Sequence, residues 1–169
     1  MKNIELKIKV NNFIEIEKLL KILGAKYKGT LSQKDTYFNC IKGRLKIREI
    51  NNKNFEIIFY DRPDKSINKL SSYFVMPIKR DKFKEIKSIL KLSMGIKVIV
   101  SKKRNLWLFE NTRIHLDSVN KLGKFLELET VLEKISEQKG KKEYMEIYNL
   151  LKLDKFEKIS LSYSDLLIN

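Results

Sequence analysis

The stretch NIELKIKV, residues 3 to 10, alternates apolar and charged side chains. The apolar positions are Ile4, Leu6, Ile8 and Val10, and the charged ones are Glu5, Lys7 and Lys9. Because successive side chains of a β-strand point to opposite faces, the pattern predicts a strand with one face on a core. The other face then carries an acid and two bases. Alone, such a face is most simply explained as solvated.

Alternating segments recur along the chain and predict further strands. They are 26–38, GRLKIREI (43–50), FEIIFYDR (55–62), SSYFVMPI (71–78), IKVIVSKKR (96–104), LWLFEN (106–111), TRIHLD (112–117) and KFLELETVL (124–132). The intervening NNKN, residues 51 to 54, predicts a hairpin turn. Strands joined mostly by hairpins favour an α+β domain built on an antiparallel sheet.

Three segments have helical periodicity instead. Asn12 is the predicted cap of a helix over 13–23 that stops at Gly24, and Asp81 is the predicted cap of a second helix ending near Gly95. A third helix is expected after Glu133, followed by the short C-terminal segment SYSDLL (162–167). The polar stretch from 63 to 68 predicts a flexible loop.

Composition places limits on the class of protein. The 169 residues are 43% hydrophobic and contain no apolar run near the length of about 18 residues that a membrane helix needs. We therefore expect one soluble domain over residues 1–169. No secretory leader is recognisable and Cys40 is the only cysteine, so a disulfide framework is not supported and a cytoplasmic location is the default expectation.

The net charge of +15 predicts attraction to polyanions such as nucleotides, polyphosphate or nucleic acid. A lysine-rich solvated surface is an equally good explanation for much of it. More informative are ions of both signs at alternate positions of several strands: Glu5 and Lys7, Lys46 and Arg48, Lys102 and Arg104, Arg113 and Asp117, Glu127 and Glu129. If the sheet curls into a barrel, these faces form a polar tunnel whose bases suit phosphates and whose carboxylates suit Mg²⁺ or Mn²⁺.

Eight segments in order resemble the CYTH, or triphosphate tunnel metalloenzyme, family, and within it the bacterial class IV adenylate cyclase-like branch. They are NIELKIKV, QKDTYFN, GRLKIRE, FYDRPD, KLSSY, VSKKRNLWLFENTRIHLDSV, LGKFLELETVL and SYSDLL. The resemblance covers nearly the whole chain. It implies an antiparallel, eight-stranded, barrel-like tunnel with helices packed outside.

The resemblance also implies roles for individual residues. Glu5, Glu127 and Glu129 would hold Mg²⁺ or Mn²⁺, and Asp117 and Lys7 would take part in catalysis. From the residues alone, an ion pair with Arg113 is an equally good role for Asp117. The triphosphate would contact Lys7, Lys46, Arg48, Arg62, Lys102, Arg104 and Arg113. Asn3 departs from the family pattern, because it stands where the first glutamate of the ExExK strand is expected.

Three functions stay open at this point. A cyclase would convert ATP to cyclic AMP and pyrophosphate; a triphosphatase would hydrolyse thiamine triphosphate, inorganic triphosphate or another organic triphosphate; a binding module would hold a nucleotide, polyphosphate or RNA 5′-end without turnover. Glycine-rich phosphate loops of the GxxxxGK[ST] or GxGxxG type do not occur, which leaves side chains to hold the phosphates.

Aromatic residues and the single histidine are expected to be structural. Tyr27, Tyr37 and Trp107 lie in strand patterns and are expected in the core rather than as stacking surfaces for nucleic acid. His115 could touch phosphate, but a structural role is favoured, and a zinc site is not supported. Nucleic-acid binding and a homodimer both stay open.

Overall fold

The computed structural model describes residues 3–61 and 72–168. Eight strands form one antiparallel sheet in the order β1-β8-β7-β6-β2-β3-β4-β5. The strands are β1 (Asn3–Val10), β2 (Lys26–Phe38), β3 (Arg44–Ile50), β4 (Asn54–Asp61), β5 (Ser72–Ile78), β6 (Ile96–Phe109), β7 (Thr112–Val119) and β8 (Gly123–Val131). The helices are α1 (Ile14–Ile22), α2 (Arg80–Met94), α3 (Glu137–Leu150) and α4 (Tyr163–Ile168), with a 3₁₀ turn at Leu153–Lys155.

This architecture confirms the predicted α+β class and the eight-stranded antiparallel sheet. The sheet curls strongly, like a barrel. Among the described residues it does not close, because β1 and β5 lie at its two edges without pairing with each other. A C-terminal segment covers the β1 edge, where the N–H of Ile159 donates to the carbonyl of Lys7 at 2.8 Å. Arg62 and the predicted loop at 63–68 lie outside the described residues.

One strand boundary was predicted wrongly. The segments 96–104 and 106–111 are not two strands, because β6 runs unbroken from Ile96 to Phe109. Asn105, at the expected break, continues the strand: its side-chain oxygen accepts a hydrogen bond from Thr30 on β2 at 2.7 Å. The long partner strand β2 thereby supports β6 along its whole length, apart from irregularities near Gly29 and Phe38.

Neither predicted helix cap occupies the cap position. Phe13 is the cap residue of α1 and makes no side-chain cap hydrogen bond, although Asn12, one residue earlier, accepts a hydrogen bond at Oδ1 from the N–H of Ile14 at 3.1 Å. Asp81 is not the cap of α2, which begins after Lys79. The carboxylate of Asp81 lies in the first turn instead, where a negative charge favours the helix dipole.

The hydrophobic core lies between the helices and the convex face of the sheet. Helices α1 and α3 pack on β1, β6, β7 and β8 through residues that include Leu20, Ile147, Ile8 and Leu126. Helix α2 covers β2–β5 through Phe83 and its neighbours. On β1, β7 and β8 the apolar positions, among them Ile8, Ile114 and Leu128, face this core, so the alternate, charged positions are left for the concave face.

The aromatic predictions are correct for two of three residues. Trp107 and Tyr37 are buried, whereas Tyr27 is 50% exposed. Tyr27 rests its ring 5.1 Å from that of Trp107 at the surface, so its hydroxyl reaches Thr30 rather than the core. Separately, no helix among residues 3–61 and 72–168 is long and apolar enough to cross a membrane.

A tight turn at Gly43, between β2 and β3, gives a test of the packing. Gly43 has φ +68, and a Cβ there would lie 2.8 Å from the Phe59 ring and 2.9 Å from the carbonyl oxygen of Tyr60. Gly24 also has positive φ, +81, but has open space. We expect Gly43→Ala to lower the unfolding free energy by about 3 kcal/mol and Gly24→Ala by about 1 kcal/mol, measured by urea denaturation. Equal losses would contradict this packing.

Candidate active site

The concave face of the sheet encloses a cavity of about 1450 Å³. All eight strands and the segment 158–163 contribute to its lining. Six of the predicted phosphate-binding residues line it: Lys7, Lys46, Arg48, Lys102, Arg104 and Arg113. The three predicted metal ligands, Glu5, Glu127 and Glu129, line it as well.

On one side of the cavity, Lys102 and Arg104 of β6 share the carboxylate of Asp117 on β7. We call these three residues the β6 clamp. The Lys102 ammonium donates to Asp117 Oδ2 at 2.8 Å, and Arg104 donates from Nε at 2.7 Å and from Nη2 at 2.6 Å. The ladder causes this pairing, because Asp117 lies directly opposite Arg104.

Asp117 itself is fully buried and accepts a third donor, the Tyr163 hydroxyl at 3.0 Å. The alternative considered from sequence, an ion pair between Asp117 and Arg113, does not describe these residues. Arg113 instead approaches Glu129 at 3.4 Å, since Glu129 is its cross-strand neighbour on β8. Asp117 therefore holds cations in place from behind the cavity wall, and its predicted part in catalysis stays a prediction.

A second clamp joins β2 and β3; its cations Lys46 and Arg48 were predicted as site residues, but its aspartate was not. In this β3 clamp, Asp35 of β2 accepts from Lys46 Nζ at 2.6 Å. It also accepts from Arg48 Nε and Nη2, each at 2.9 Å. The sequence offers one signal for it, since Asp35 alternates with Gln33 and Tyr37 on the cavity side of β2.

The third group of charges lies on β1 and β8. Glu127 Oε2 accepts from Arg104 Nη2 at 2.6 Å, and Glu127 Oε1 lies 3.3 Å from Lys7 Nζ. Lys7 also donates to the carbonyl of Leu161 at 3.0 Å. The predicted residues Glu127 and Lys7 are thus neighbours, and the C-terminal segment closes over them.

These contacts move several pKa values. Burial alone would raise the pKa of Asp35, Asp117 and Glu127, but the surrounding ammonium and guanidinium groups outweigh it and hold all three pKa values below their usual range. Burial and the neighbouring Arg104 lower the pKa of Lys102 to about 8. The same two causes lower the pKa of His115 to about 4, so this histidine is neutral at pH 7.

His115 lies in the cavity wall rather than in the outer core. Its Nδ1 is 3.7 Å from Glu127 Oε2, and its residue faces the cavity. The structural role favoured from sequence is compatible with this contact, and so is contact with a bound ligand.

Three tyrosines, Tyr37, Tyr60 and Tyr163, also line the cavity, and they were not predicted as site residues. The Tyr163 ring centroid lies 4.3 Å from Lys7 Nζ and 4.8 Å from Lys102 Nζ. The Tyr37 ring lies 5.2 Å from Lys46 Nζ, and Tyr60 lines the cavity beside it. Aromatic faces attract these ammonium groups without neutralising them.

The β1–β8 wall has the donor chemistry of a hard cation. Glu5 lies opposite Glu129 in the ladder, and Asn3 Nδ2 donates to Glu129 Oε1 at 2.7 Å. The Asn3 Oδ1 atom is buried and has no hydrogen-bond partner among the described residues. These oxygens fit Mg²⁺ or Mn²⁺. However, within the part of the chain that the structure describes, no three Asp, Glu, His or Cys side chains converge as a ready site, so ligand oxygens would have to complete the coordination.

Charges in the cavity are nearly balanced. Among described residues the lining holds seven bases and six acids; Lys158 joins the six predicted bases, and the acids are Glu5, Asp35, Glu56, Glu127, Glu129 and Glu133. Most of the net charge of +15 is therefore carried by residues outside this lining. An anionic guest must share the cations with the carboxylates that already hold them.

Comparisons with known proteins agree on the family. The profile of the CYTH domain matches residues 1–163. The chain is 30% identical, over 98% of both chains, to a Methanocaldococcus jannaschii protein that carries the provisional name of adenylate cyclase. A Pyrococcus horikoshii structure superposes with a TM-score of 0.82 at 27% identity, covering 99% of each chain.

A Vibrio parahaemolyticus structure, also provisionally named an adenylate cyclase, has a TM-score of 0.75 and covers 100% of this chain and 99% of its own. At 16% identity, this second structure supports the fold alone.

The buried position of Asp117 predicts a large structural effect. We expect Asp117→Asn to lower the unfolding free energy at pH 7 by about 3 kcal/mol, because it removes the ion-pair partner of the buried Lys102 and leaves Arg104 with Glu127 alone. Because the pKa of Asp117 is depressed in the fold, its contribution is present above the unfolded pKa of about 3.9 and is lost as the pH falls below it. The difference from wild type, measured by urea denaturation, should therefore shrink in acid.

The matched control is Asp61→Asn, which removes an exposed carboxylate 3.9 Å from Lys42. It should change stability little. A similar small effect for Asp117→Asn would contradict the clamp.

Proposed function

The chain belongs to the CYTH domain family, and from that premise we propose that it is an adenylate cyclase-like enzyme that converts ATP to cyclic AMP and pyrophosphate. The observation that carries the proposal is the set of six cations that four strands direct into one cavity. A triphosphate chain bound with a divalent cation is the guest that such a set best suits, because the phosphates would face the bases and the metal would face the carboxylates.

The two clamps would hold the phosphates from either side of β2. Their strands, β3 and β6, each pair with β2, so the clamps are about 10 Å apart by strand spacing. Arg48 and Arg104 present planar guanidinium groups for bidentate contact with phosphate oxygens, while Lys46 and Lys102 act as point charges. Since one carboxylate fixes each pair, the donors are positioned before the substrate arrives.

A divalent cation would bind on the opposite wall. Bound to Glu5, Glu127 and Glu129, Mg²⁺ or Mn²⁺ would supply Lewis-acid stabilisation of charge on the phosphate oxygens. Asn3 orients Glu129 by its 2.7 Å hydrogen bond and would offer a neutral oxygen where the family pattern has a carboxylate. Lys7, 3.3 Å from Glu127, is placed to contact both the carboxylate and a phosphate.

The cavity leaves room for the nucleoside. Its volume of about 1450 Å³ exceeds the usual size of a small-molecule site, about 300–1,000 Å³. Leu31, Ile50 and Leu106 give the lining an apolar area on β2, β3 and β6. Such a surface suits the base and ribose, and holding the 3′-hydroxyl near the α-phosphorus would favour cyclisation through positioning.

The direct test is product analysis after incubation with ATP, GTP, thiamine triphosphate and inorganic triphosphate, each with Mg²⁺ and with Mn²⁺. We expect cyclic AMP and pyrophosphate from ATP. Orthophosphate as the product would replace the cyclase by a triphosphatase, and tight binding without turnover would make the protein a binding module. In the same assays, Arg48→Ala and Lys102→Ala should each weaken triphosphate binding about tenfold or more, since each removes a charge-assisted contact.

The control for these variants is Lys103→Ala, because Lys103 lies next to Lys102 in β6 but is exposed on the other face. It should bind like wild type. Near-wild-type affinity of both Arg48→Ala and Lys102→Ala would exclude the cavity as the triphosphate site.

A pH dependence follows from Lys102. Its pKa of about 8 means that the free protein loses this positive charge as the pH rises through 8. The affinity for inorganic triphosphate should then fall about fivefold between pH 8 and pH 9, measured by calorimetry. In Lys102→Arg the charge persists, so the fall attributable to this group should disappear, whereas Lys103→Arg should keep it. The same fall in Lys102→Arg would assign the titration to another group.

A further inference from the structure

We propose that Asp35 is a positioning residue of the site, which keeps Lys46 and Arg48 of the β3 clamp charged and aimed at the triphosphate. The expected effect of Asp35 on triphosphate binding rests on the proposed function, but the charge of Lys46 can be measured without any substrate. None of the roles implied by the family resemblance falls on Asp35.

The register of the sheet brings Asp35 to this place. It lies opposite Arg48 in the β2–β3 ladder, and its side chain is buried, with 4% of the residue exposed. Arg48 donates to it from Nε and Nη2, both at 2.9 Å. This bidentate contact fixes the plane of the guanidinium group, and the Arg48 side chain, 24% exposed, lines the cavity.

Lys46 depends on Asp35 for its charge. Its ammonium donates to Asp35 Oδ2 at 2.6 Å and to the Tyr37 hydroxyl at 3.3 Å. Tyr60 from β4 and Arg48 from its own strand also face it. Burial and Arg48 both lower the pKa of Lys46, while Asp35 raises it.

The tyrosines do not supply a counter-charge at neutral pH. Burial raises the pKa of Tyr37 to about 12 and also raises the pKa of Tyr60. Among the described neighbours that act on Lys46, Asp35 is therefore the anion. Lys102 from β6 lies close enough to feel the same carboxylate, so the loss of Asp35 would weaken the charge of both lysines.

The two clamps are built alike. In each, a Lys-x-Arg pair on one strand is held by a single buried aspartate on the neighbouring strand, Asp117 for β6 and Asp35 for β3. The β6 clamp has a second acid close by, since Glu127 also contacts Arg104. In the β3 clamp, Asp35 is the counter-ion of both Lys46 and Arg48.

The test compares Asp35→Asn with wild type in two measurements. The first is the affinity for inorganic triphosphate, by calorimetry at pH 6 and pH 8. The second is the pKa of Lys46, from the pH dependence of its ¹³Cε chemical shift in the ligand-free protein. We expect the pKa of Lys46 to fall in Asp35→Asn. The affinity should then drop about tenfold at pH 8, and less at pH 6, because a lower pH favours the protonated form of Lys46.

The control variant is Glu49→Gln. Glu49 lies on β3 directly after Arg48. Its side chain is on the face of the sheet opposite the cavity, where it pairs with Lys87 of α2 at 2.6 Å. This variant breaks an ion pair of the same length without touching the cavity, so it should leave affinity and the pKa of Lys46 unchanged. A loss of affinity that is independent of pH and shared by Glu49→Gln would overturn the proposal in favour of a general structural effect.

An unchanged pKa of Lys46 in Asp35→Asn, or unchanged affinity at both pH values, would also overturn it. If wild type binds no triphosphate, the proposed function fails while the Lys46 titration still decides this inference. If Asp35→Asn does not fold, the wild-type titration decides it: Lys46 protonated at pH 7 supports the proposal, and Lys46 neutral at pH 7 overturns it.

Discussion

A buried cation needs a counter-charge, and this requirement governs the concave face of the sheet. Lys46, Lys102 and Arg104 are largely shielded from water, where an unpaired charge would be very costly. Asp35 on β2 and Asp117 on β7 supply this counter-charge, each from the strand next to that of the cations it holds. The cations are therefore held in fixed positions, each with part of its hydrogen-bonding capacity directed into a cavity that can admit an anion.

The rest of the fold makes this arrangement possible. Along β1, β3, β7 and β8, alternation sends mostly apolar side chains to the convex face, where the helices cover them, and mostly charged side chains to the concave face. The C-terminal segment adds Tyr163, whose hydroxyl reaches Asp117 at 3.0 Å and whose ring lies near Lys7 and Lys102. A near balance of charge follows, which distinguishes the cavity from the strongly basic remainder of the chain.

Much of the site could be predicted from sequence because every second side chain of a β-strand points to the same face. Lys46 and Arg48, or Lys102 and Arg104, must share a face wherever their strands pair. What could not be predicted depends on register and on distance along the chain. Asp35 becomes a counter-ion only because β2 pairs with β3 so that it lies opposite Arg48, and an isolated Asp in a strand otherwise suggests a solvated position. Tyr163 meets Asp117 across 46 residues, and the continuity of β6 through Asn105 depends on Thr30 of a distant strand.

The most direct measurement is a crystal structure of the protein with Mn²⁺ and a non-reactive ATP analogue. We predict that the phosphates lie between the Lys46–Arg48 and Lys102–Arg104 pairs, that the manganese lies against Glu5, Glu127 and Glu129, and that Asp35 and Asp117 keep their contacts. Phosphates bound on the outer lysine-rich surface, with both clamps unchanged and the cavity free of ligand, would contradict the assignment of this cavity as the triphosphate site.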